Sequence, residues 1–145
     1  MSDILSVSQI KVPGTATSKD EAIREAGQIL VDTGAVTPAY VDAMFEREKS
    51  VSTYMGNYLA IPHGTNEAKD EITASALSVV RYDSPIDWDG NETRFVVGIA
   101  GYEGGHLEIL GKIAVIFSDT DEVDKMIAAG SAEEVFALLT AVNEE

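Results

Sequence analysis

The sequence predicts an α/β protein whose helices cover both faces of a mixed, mostly parallel β-sheet. The segment 95–100 is a continuous apolar run, which is typical of a central strand covered on both faces. Apolar residues at helical spacing follow Ser18 and again follow Gly105. The elements come in the order strand, two helices, strands and then helices, which favours layered α/β packing.

The first half of the chain carries clear helix signals. The segment 5–12 has strand composition and ends at a Pro-Gly pair. Ser18, with Glu21 three residues later, forms a capping box that predicts the start of the first helix. Thr37 followed by Pro38 predicts the start of a second helix.

The second half alternates short strands and helices. Segments 58–61 and 74–82 have strand composition, and the first of them runs into Pro62. Beyond Gly105, apolar residues at i, i+3, i+4 and i+7 predict a helix that extends to Phe117. A short helix is predicted after Asp119, and a last one from Ser131.

Composition narrows the function classes. The 145 residues are 45% hydrophobic and 24% charged, which suits one globular domain over 1–145. The chain has no cysteine, so a thiolate metal site or a cysteine nucleophile is excluded. No apolar run has membrane-spanning length and no leader pattern opens the chain, so we expect a cytoplasmic protein. A net charge of −15 disfavours nucleic acid and suits either a basic protein partner or simple solubility.

Two histidines are the candidates for chemistry. His63 lies in Ile61-Pro62-His63-Gly64, just past a predicted strand end, where ligands bind in open α/β sheets, and Gly64 leaves room beside the imidazole. His106 opens a predicted helix, and the free N–H groups of a helix start suit a phosphate. From position alone, an ordinary loop or core histidine is the more common case for each of them.

Arg47 and Glu48 sit near the end of the second predicted helix. Arginine is the preferred fixed cation for phosphate oxygens, although a charged run such as 46–49 is usually solvated. Glu48 falls on the apolar stripe, and a buried carboxylate needs hydrogen-bond donors. It either anchors the following loop or Arg47, holding the segment that leads to His63, or is exposed because the helix ends early.

One segment resembles a known signature. Glu48, then Met55-Gly56, then Leu59-Ala60-Ile61-Pro62-His63-Gly64 is similar to the active-site pattern of the enzyme IIA domains of the mannitol and fructose class of the bacterial sugar phosphotransferase system. The segment 37–44 and the residues around Thr65 look like the mannitol branch in particular. The similarity runs over nearly the whole chain.

The resemblance implies roles for these residues. His63 would accept a phosphoryl group from the histidine of the carrier protein HPr and pass it to the cysteine of an enzyme IIB domain, alone or within a mannitol IICB permease. His106 would hydrogen-bond the phosphoryl group and support its transfer, and Arg47 would neutralise its charge. Glu48, Gly64 and Thr65 would position these residues without contacting the phosphoryl group themselves. The resemblance implies neither a cofactor nor a metal.

Other readings are kept open. A fructose-type or nitrogen-regulatory IIA would use the same chemistry with another partner, and a regulatory module would use the phosphorylation as a signal. His63-Gly64-Thr65 also fits the His-x-Thr of two-histidine phosphoesterases, but the triplet that begins at His106 lacks the hydroxyl. A zinc hydrolase could use both histidines and a carboxylate, although no close metal-binding spacing is present.

Overall fold

A five-stranded sheet lies at the centre of the computed structural model, which describes residues 4–50, 52–102 and 105–143 and leaves the side chains of Asn66, Glu67 and His106 undescribed. Its strands, in the spatial order β1-β4-β5-β3-β2, are β1 Ile10–Lys11, β4 Ala76–Trp88, β5 Asn91–Ala100, β3 Leu59–Ala60 and β2 Tyr54–Gly56.

The sheet is mixed, as predicted. The pairs β1–β4 and β3–β5 are parallel, whereas β4–β5 and β2–β3 are antiparallel. The apolar run 95–100 lies in β5, the middle strand, which confirms its predicted central position. It is therefore hydrogen-bonded to β4 on one side and to β3 on the other.

Helices cover both faces of the sheet, which confirms the predicted layers. Side chains alternate along a strand, so Val97 and Ile99 face one side and Val96 and Ala100 face the other. On the first side lie three helices: α3 His106–Phe117, α4 Thr120–Ala128 and α5 Ala132–Leu139. On the other side lie α1 Lys19–Asp32 and α2 Pro38–Ser50.

The predicted helix starts are confirmed by their caps. The Ser18 hydroxyl accepts a hydrogen bond from the Glu21 N–H, and the Ser131 hydroxyl accepts one from the Glu134 N–H. The Asp119 carboxylate caps α4 in the same way. These signals are local, because a capping side chain and the backbone N–H that donates to it lie within one turn of each other.

The predicted strand over 5–12 is largely wrong. A short 3₁₀ helix, Val7–Gln9, precedes a strand of only two residues, β1. The Gln9 amide donates to the carbonyls of Ile4 and Leu77, so a side chain ties this short helical turn to β4 where the prediction had an extended strand.

Within the described residues, no helix is both long and apolar enough to cross a bilayer.

Candidate functional site

His63 lies just beyond the carboxyl end of β3, which pairs in parallel with β5. Strand β3 ends at Ala60, and an isolated parallel bridge then joins His63 to Ile99 near the end of β5. The Ile99 N–H donates to the Pro62 carbonyl at 3.1 Å, which holds the backbone beside the sheet. The chain therefore places His63 at the edge where open α/β sheets bind ligands, as the sequence predicted.

One nitrogen of the His63 ring is occupied by the backbone. Its Nδ1 lies 2.8 Å from the carbonyl oxygen of Ile61. A carbonyl oxygen only accepts hydrogen bonds, so Nδ1 carries the proton in this contact. In the neutral ring Nε2 then keeps its lone pair, and the imidazole presents that nitrogen as a nucleophile.

Tyr40 of α2 packs against the residue that follows His63. Its buried hydroxyl accepts the Gly64 N–H at 2.8 Å and donates to the Ile99 carbonyl at 2.7 Å. Burial raises the pKa of the Tyr40 hydroxyl, although its Gly64 hydrogen bond opposes the shift. The hydroxyl therefore stays protonated at neutral pH and keeps both hydrogen bonds.

The Tyr40 ring gives a structural reason for glycine at position 64. A Cβ on Gly64 would lie 2.5 Å from Cε1 of Tyr40, closer than real Cβ atoms approach other groups. Apart from the two chain neighbours of Gly64, the three nearest atoms all belong to the Tyr40 ring. The missing side chain therefore makes room for a tyrosine from helix α2, and the predicted room beside the imidazole stays a prediction.

Gly64→Ala is expected to lower the free energy of unfolding by about 1–3 kcal/mol, because the buried Tyr40 ring must shift to admit the methyl group. Urea denaturation of the purified variant measures the loss. Gly111→Ala is the matched control, because a Cβ there meets nothing within 4 Å on a helix face. It should leave stability unchanged or raise it by up to about 1 kcal/mol. Equal stability of the two variants would contradict the close packing at Gly64.

Glu48 is the buried anchor of the second helix. Helix α2 continues through it, and its side chain is only 4% exposed, so the alternative of an early helix end is wrong. The carboxylate accepts hydrogen bonds from the Thr53 N–H at 3.0 Å, the Thr53 hydroxyl and the Trp88 indole N–H at 3.1 Å. Lys19 lies 3.4 Å away and supplies an opposite charge.

A chain of hydrogen bonds leads from Glu48 to His63. The carboxylate holds Thr53, whose carbonyl accepts the Ile61 N–H at 3.1 Å. The Ile61 carbonyl in turn faces Nδ1 of His63. Of the two partners considered from the sequence, the structure shows Glu48 holding the backbone of the loop that follows it. That loop and the His63 ring are thereby connected to a buried charge.

For Arg47, Thr65 and His106, the other predicted site residues, the structure describes the position in the fold. Arg47 lies half-buried in the last turn of α2, one residue before the anchor. Thr65 is half-buried beside Gly64, and its carbonyl accepts the Ala68 N–H. His106 begins α3, as predicted for a helix start, but its side chain lies outside the described part of the structure. The proposed roles of these three residues stay predictions.

Sequence reasoning missed Tyr40, Thr53 and Trp88. A buried tyrosine or tryptophan needs a partner for its polar group, and Glu48 on an apolar stripe needs donors, so both signals were present. The pairing could not be read because Trp88 lies 40 residues from Glu48 and Tyr40 lies 24 residues from Gly64. In the described part of the chain, no group of three or more His, Asp or Glu side chains could hold a metal ion.

Comparisons with known proteins agree on one family. The model of the family described as "Phosphoenolpyruvate-dependent sugar phosphotransferase system, EIIA 2" matches residues 3–142. The mannitol-specific phosphotransferase enzyme IIA component of Halalkalibacterium halodurans is 55% identical over 141 residues, which cover 97% of each chain.

Solved structures give the same result. Enzyme IIA of the mannitol system in its complex with phosphorylated enzyme IIB from Escherichia coli superposes with a TM-score of 0.89. It is 33% identical, over 94% of this chain and 97% of that one. The crystal structure of IIA mannitol from Escherichia coli gives a TM-score of 0.86 at 34% identity, over 93% of this chain and 98% of that one.

Proposed function

The chain belongs to the EIIA 2 family of the phosphoenolpyruvate-dependent sugar phosphotransferase system and is a phosphotransferase component; from this premise we propose that Nε2 of His63 carries the phosphoryl group. The observation that carries the proposal is the contact between His63 Nδ1 and the Ile61 carbonyl. With the proton on Nδ1, the lone pair of the neutral ring lies on Nε2, which supports Nε2 as the atom that attacks phosphorus.

The loading step needs no proton transfer at His63. Nε2 attacks the phosphorus of a phosphohistidine on HPr, the donor P–N bond breaks, and a new P–N bond forms at Nε2. The donor imidazole leaves with its electron pair. The phosphorylated His63 ring keeps its proton on Nδ1 and gains positive charge, which the Ile61 carbonyl at 2.8 Å stabilises.

The unloading step runs through the same geometry. A cysteine thiolate of an enzyme IIB domain attacks phosphorus, an S–P bond forms, and the P–N bond at His63 breaks. His63 returns to the neutral ring protonated at Nδ1, ready for another cycle. The Escherichia coli neighbour was solved with phosphorylated enzyme IIB, which supports an acceptor of this kind.

Positioning and charge neutralisation supply most of the catalysis in phosphoryl transfer. We assign neutralisation to Arg47 and hydrogen bonding of the phosphoryl oxygens to His106. Arg47 is carried by the same helix as Glu48, and His106 begins α3. The net charge of −15 favours encounter with partners whose docking faces are basic.

Mannitol is the proposed sugar, because the Halalkalibacterium halodurans relative is named mannitol-specific. The sugar itself does not enter the proposed steps, so specificity resides in the choice of IIB partner. The test uses the purified protein, loaded by phosphoenolpyruvate, enzyme I and HPr. It is then mixed with a mannitol-type or a fructose-type IIB domain at equal concentration. We expect faster transfer to the mannitol-type cysteine, and preference for the fructose type would overturn the assignment.

His106→Ala is expected to separate loading from unloading. His63 Nε2 remains available, so the variant should still accept a phosphoryl group from HPr. Onward transfer to the IIB cysteine should slow by about 10²-fold, the usual cost of losing a group that stabilises the moving charge. Rapid-quench measurement of the two rates checks this expectation. Unchanged onward transfer would remove His106 from the mechanism.

A further inference from the structure

The Tyr40 hydroxyl joins two backbone groups of the isolated bridge between His63 and Ile99. In a parallel pair, the hydrogen bond from the Ile99 N–H to the Pro62 carbonyl would be followed by one from the Gly64 N–H to the Ile99 carbonyl. The Tyr40 hydroxyl contacts both of these groups. It accepts a hydrogen bond from the Gly64 N–H at 2.8 Å and donates one to the Ile99 carbonyl at 2.7 Å.

The tyrosine fits this place closely. Tyr40 is 3% exposed, and its ring lies where a side chain on Gly64 would be. The donor and one acceptor site of its hydroxyl are used by Ile99 and Gly64. A ring held by packing with a hydroxyl held by two hydrogen bonds has little freedom, so the spacing it imposes between Gly64 and β5 is fixed.

We infer that Tyr40 is a positioning residue for phosphoryl transfer, a wedge whose hydroxyl sets the distance of the His63–Gly64 peptide from β5 and thereby the aim of the His63 ring. This inference rests on the proposed function of His63. The Gly64 nitrogen belongs to the peptide that follows His63, so its position fixes the backbone on that side of the imidazole. On the other side, the Ile61 carbonyl holds Nδ1.

Helix α2 thus controls both ends of the short segment that carries His63. Tyr40, in its first half, holds Gly64, while Glu48, in its last turn, holds Ile61 through Thr53. Two attachments on one rigid helix define the orientation of the segment between them. Removing the Tyr40 hydroxyl leaves the Gly64 N–H and the Ile99 carbonyl without this partner, so helix α2 no longer holds that end of the segment beside β5.

The test compares Tyr40→Phe with Tyr82→Phe. Tyr82 is also a buried tyrosine in the same core layer, and its hydroxyl donates to Glu25 at 2.7 Å. Both variants lose a buried hydroxyl, so both should lose some stability. Only Tyr40→Phe should lower the maximal single-turnover rate of loading from phosphorylated HPr, by about 10-fold to 10²-fold, with the half-saturating HPr concentration unchanged.

A second measurement does not depend on phosphorylation. Nitrogen-15 NMR of neutral His63 reports which ring nitrogen carries the proton. Tyr40→Phe should raise the fraction protonated at Nε2, because the ring is no longer aimed at the Ile61 carbonyl, and Tyr82→Phe should not. Equal loading rates and equal proton placement in the two variants would overturn the wedge. If the wild-type protein accepted no phosphoryl group, the proposed function would fail, and the NMR comparison alone would decide the role of Tyr40.

Discussion

His63→Gln is expected to abolish loading with a phosphoryl group, reducing the rate by about 10⁴-fold or more, while the protein stays folded. The glutamine amide can still donate to the Ile61 carbonyl, as Nδ1 does, but it has no lone pair suited to attack on phosphorus. Intact mass after incubation with phosphoenolpyruvate, enzyme I and HPr measures the effect. The wild-type protein should gain the mass of one phosphoryl group and the variant none.

Two controls show whether His63→Gln loses only its chemistry or also its fold. Because His63 is half-buried at a sheet edge, the unfolding midpoint of His63→Gln should lie close to that of the wild type. The His106→Ala variant, tested in the same incubation, should still be loaded. Stoichiometric phosphorylation of His63→Gln on another residue would refute His63 as the carrier.

Glu48→Ala is expected to cause the largest loss of stability, about 3–5 kcal/mol in the free energy of unfolding. The substitution removes the acceptor of the Thr53 and Trp88 hydrogen bonds and leaves Lys19 without one of its two carboxylate partners. The buried Thr53 and Trp88 donors are then left with a desolvation cost that no hydrogen bond offsets, whereas Lys19 keeps Asp89 as a partner. Urea denaturation followed by the fluorescence of Trp88, the single tryptophan, measures the loss.

The matched control is Glu46→Ala on the same helix. The Glu46 side chain is 64% exposed and pairs with the exposed Lys49, so its removal should change stability by less than about 1 kcal/mol. Glu48→Ala should also slow phosphoryl loading, because Thr53 no longer fixes Ile61. A stability loss as small as that of Glu46→Ala would contradict the anchoring role of Glu48.

Local signals in the sequence predicted much of the fold. The caps Ser18, Asp119 and Ser131 each act within one turn of helix, so the helix starts could be read directly. The apolar run 95–100 predicted the central strand, because a strand covered on both faces has no polar side. The strand predicted over 5–12 was largely wrong, because the Gln9 amide ties a helical turn to the carbonyls of Ile4 and Leu77, and strand composition does not reveal such side-chain contacts.

The sequence indicated candidate residues for the site, but it did not indicate which side chains contact them. His63 and Glu48 stand out in the sequence because one is a rare titratable residue past a strand end and the other is an acid on an apolar stripe. The partners that fix them, Tyr40 and Trp88, are brought near by tertiary packing between separate elements. Such pairings depend on how helix α2 lies on the sheet, and no local spacing encodes that orientation.

Mapping the phosphoryl group on the loaded wild-type protein tests the central claim most directly. The protein is incubated with phosphoenolpyruvate, enzyme I and HPr, digested under conditions that preserve phosphohistidine, and its peptides are sequenced by mass spectrometry. The account predicts one acid-labile phosphoryl group, on the peptide that contains His63. A phosphoryl group on any other peptide, or none from a donor shown to be active, would contradict it.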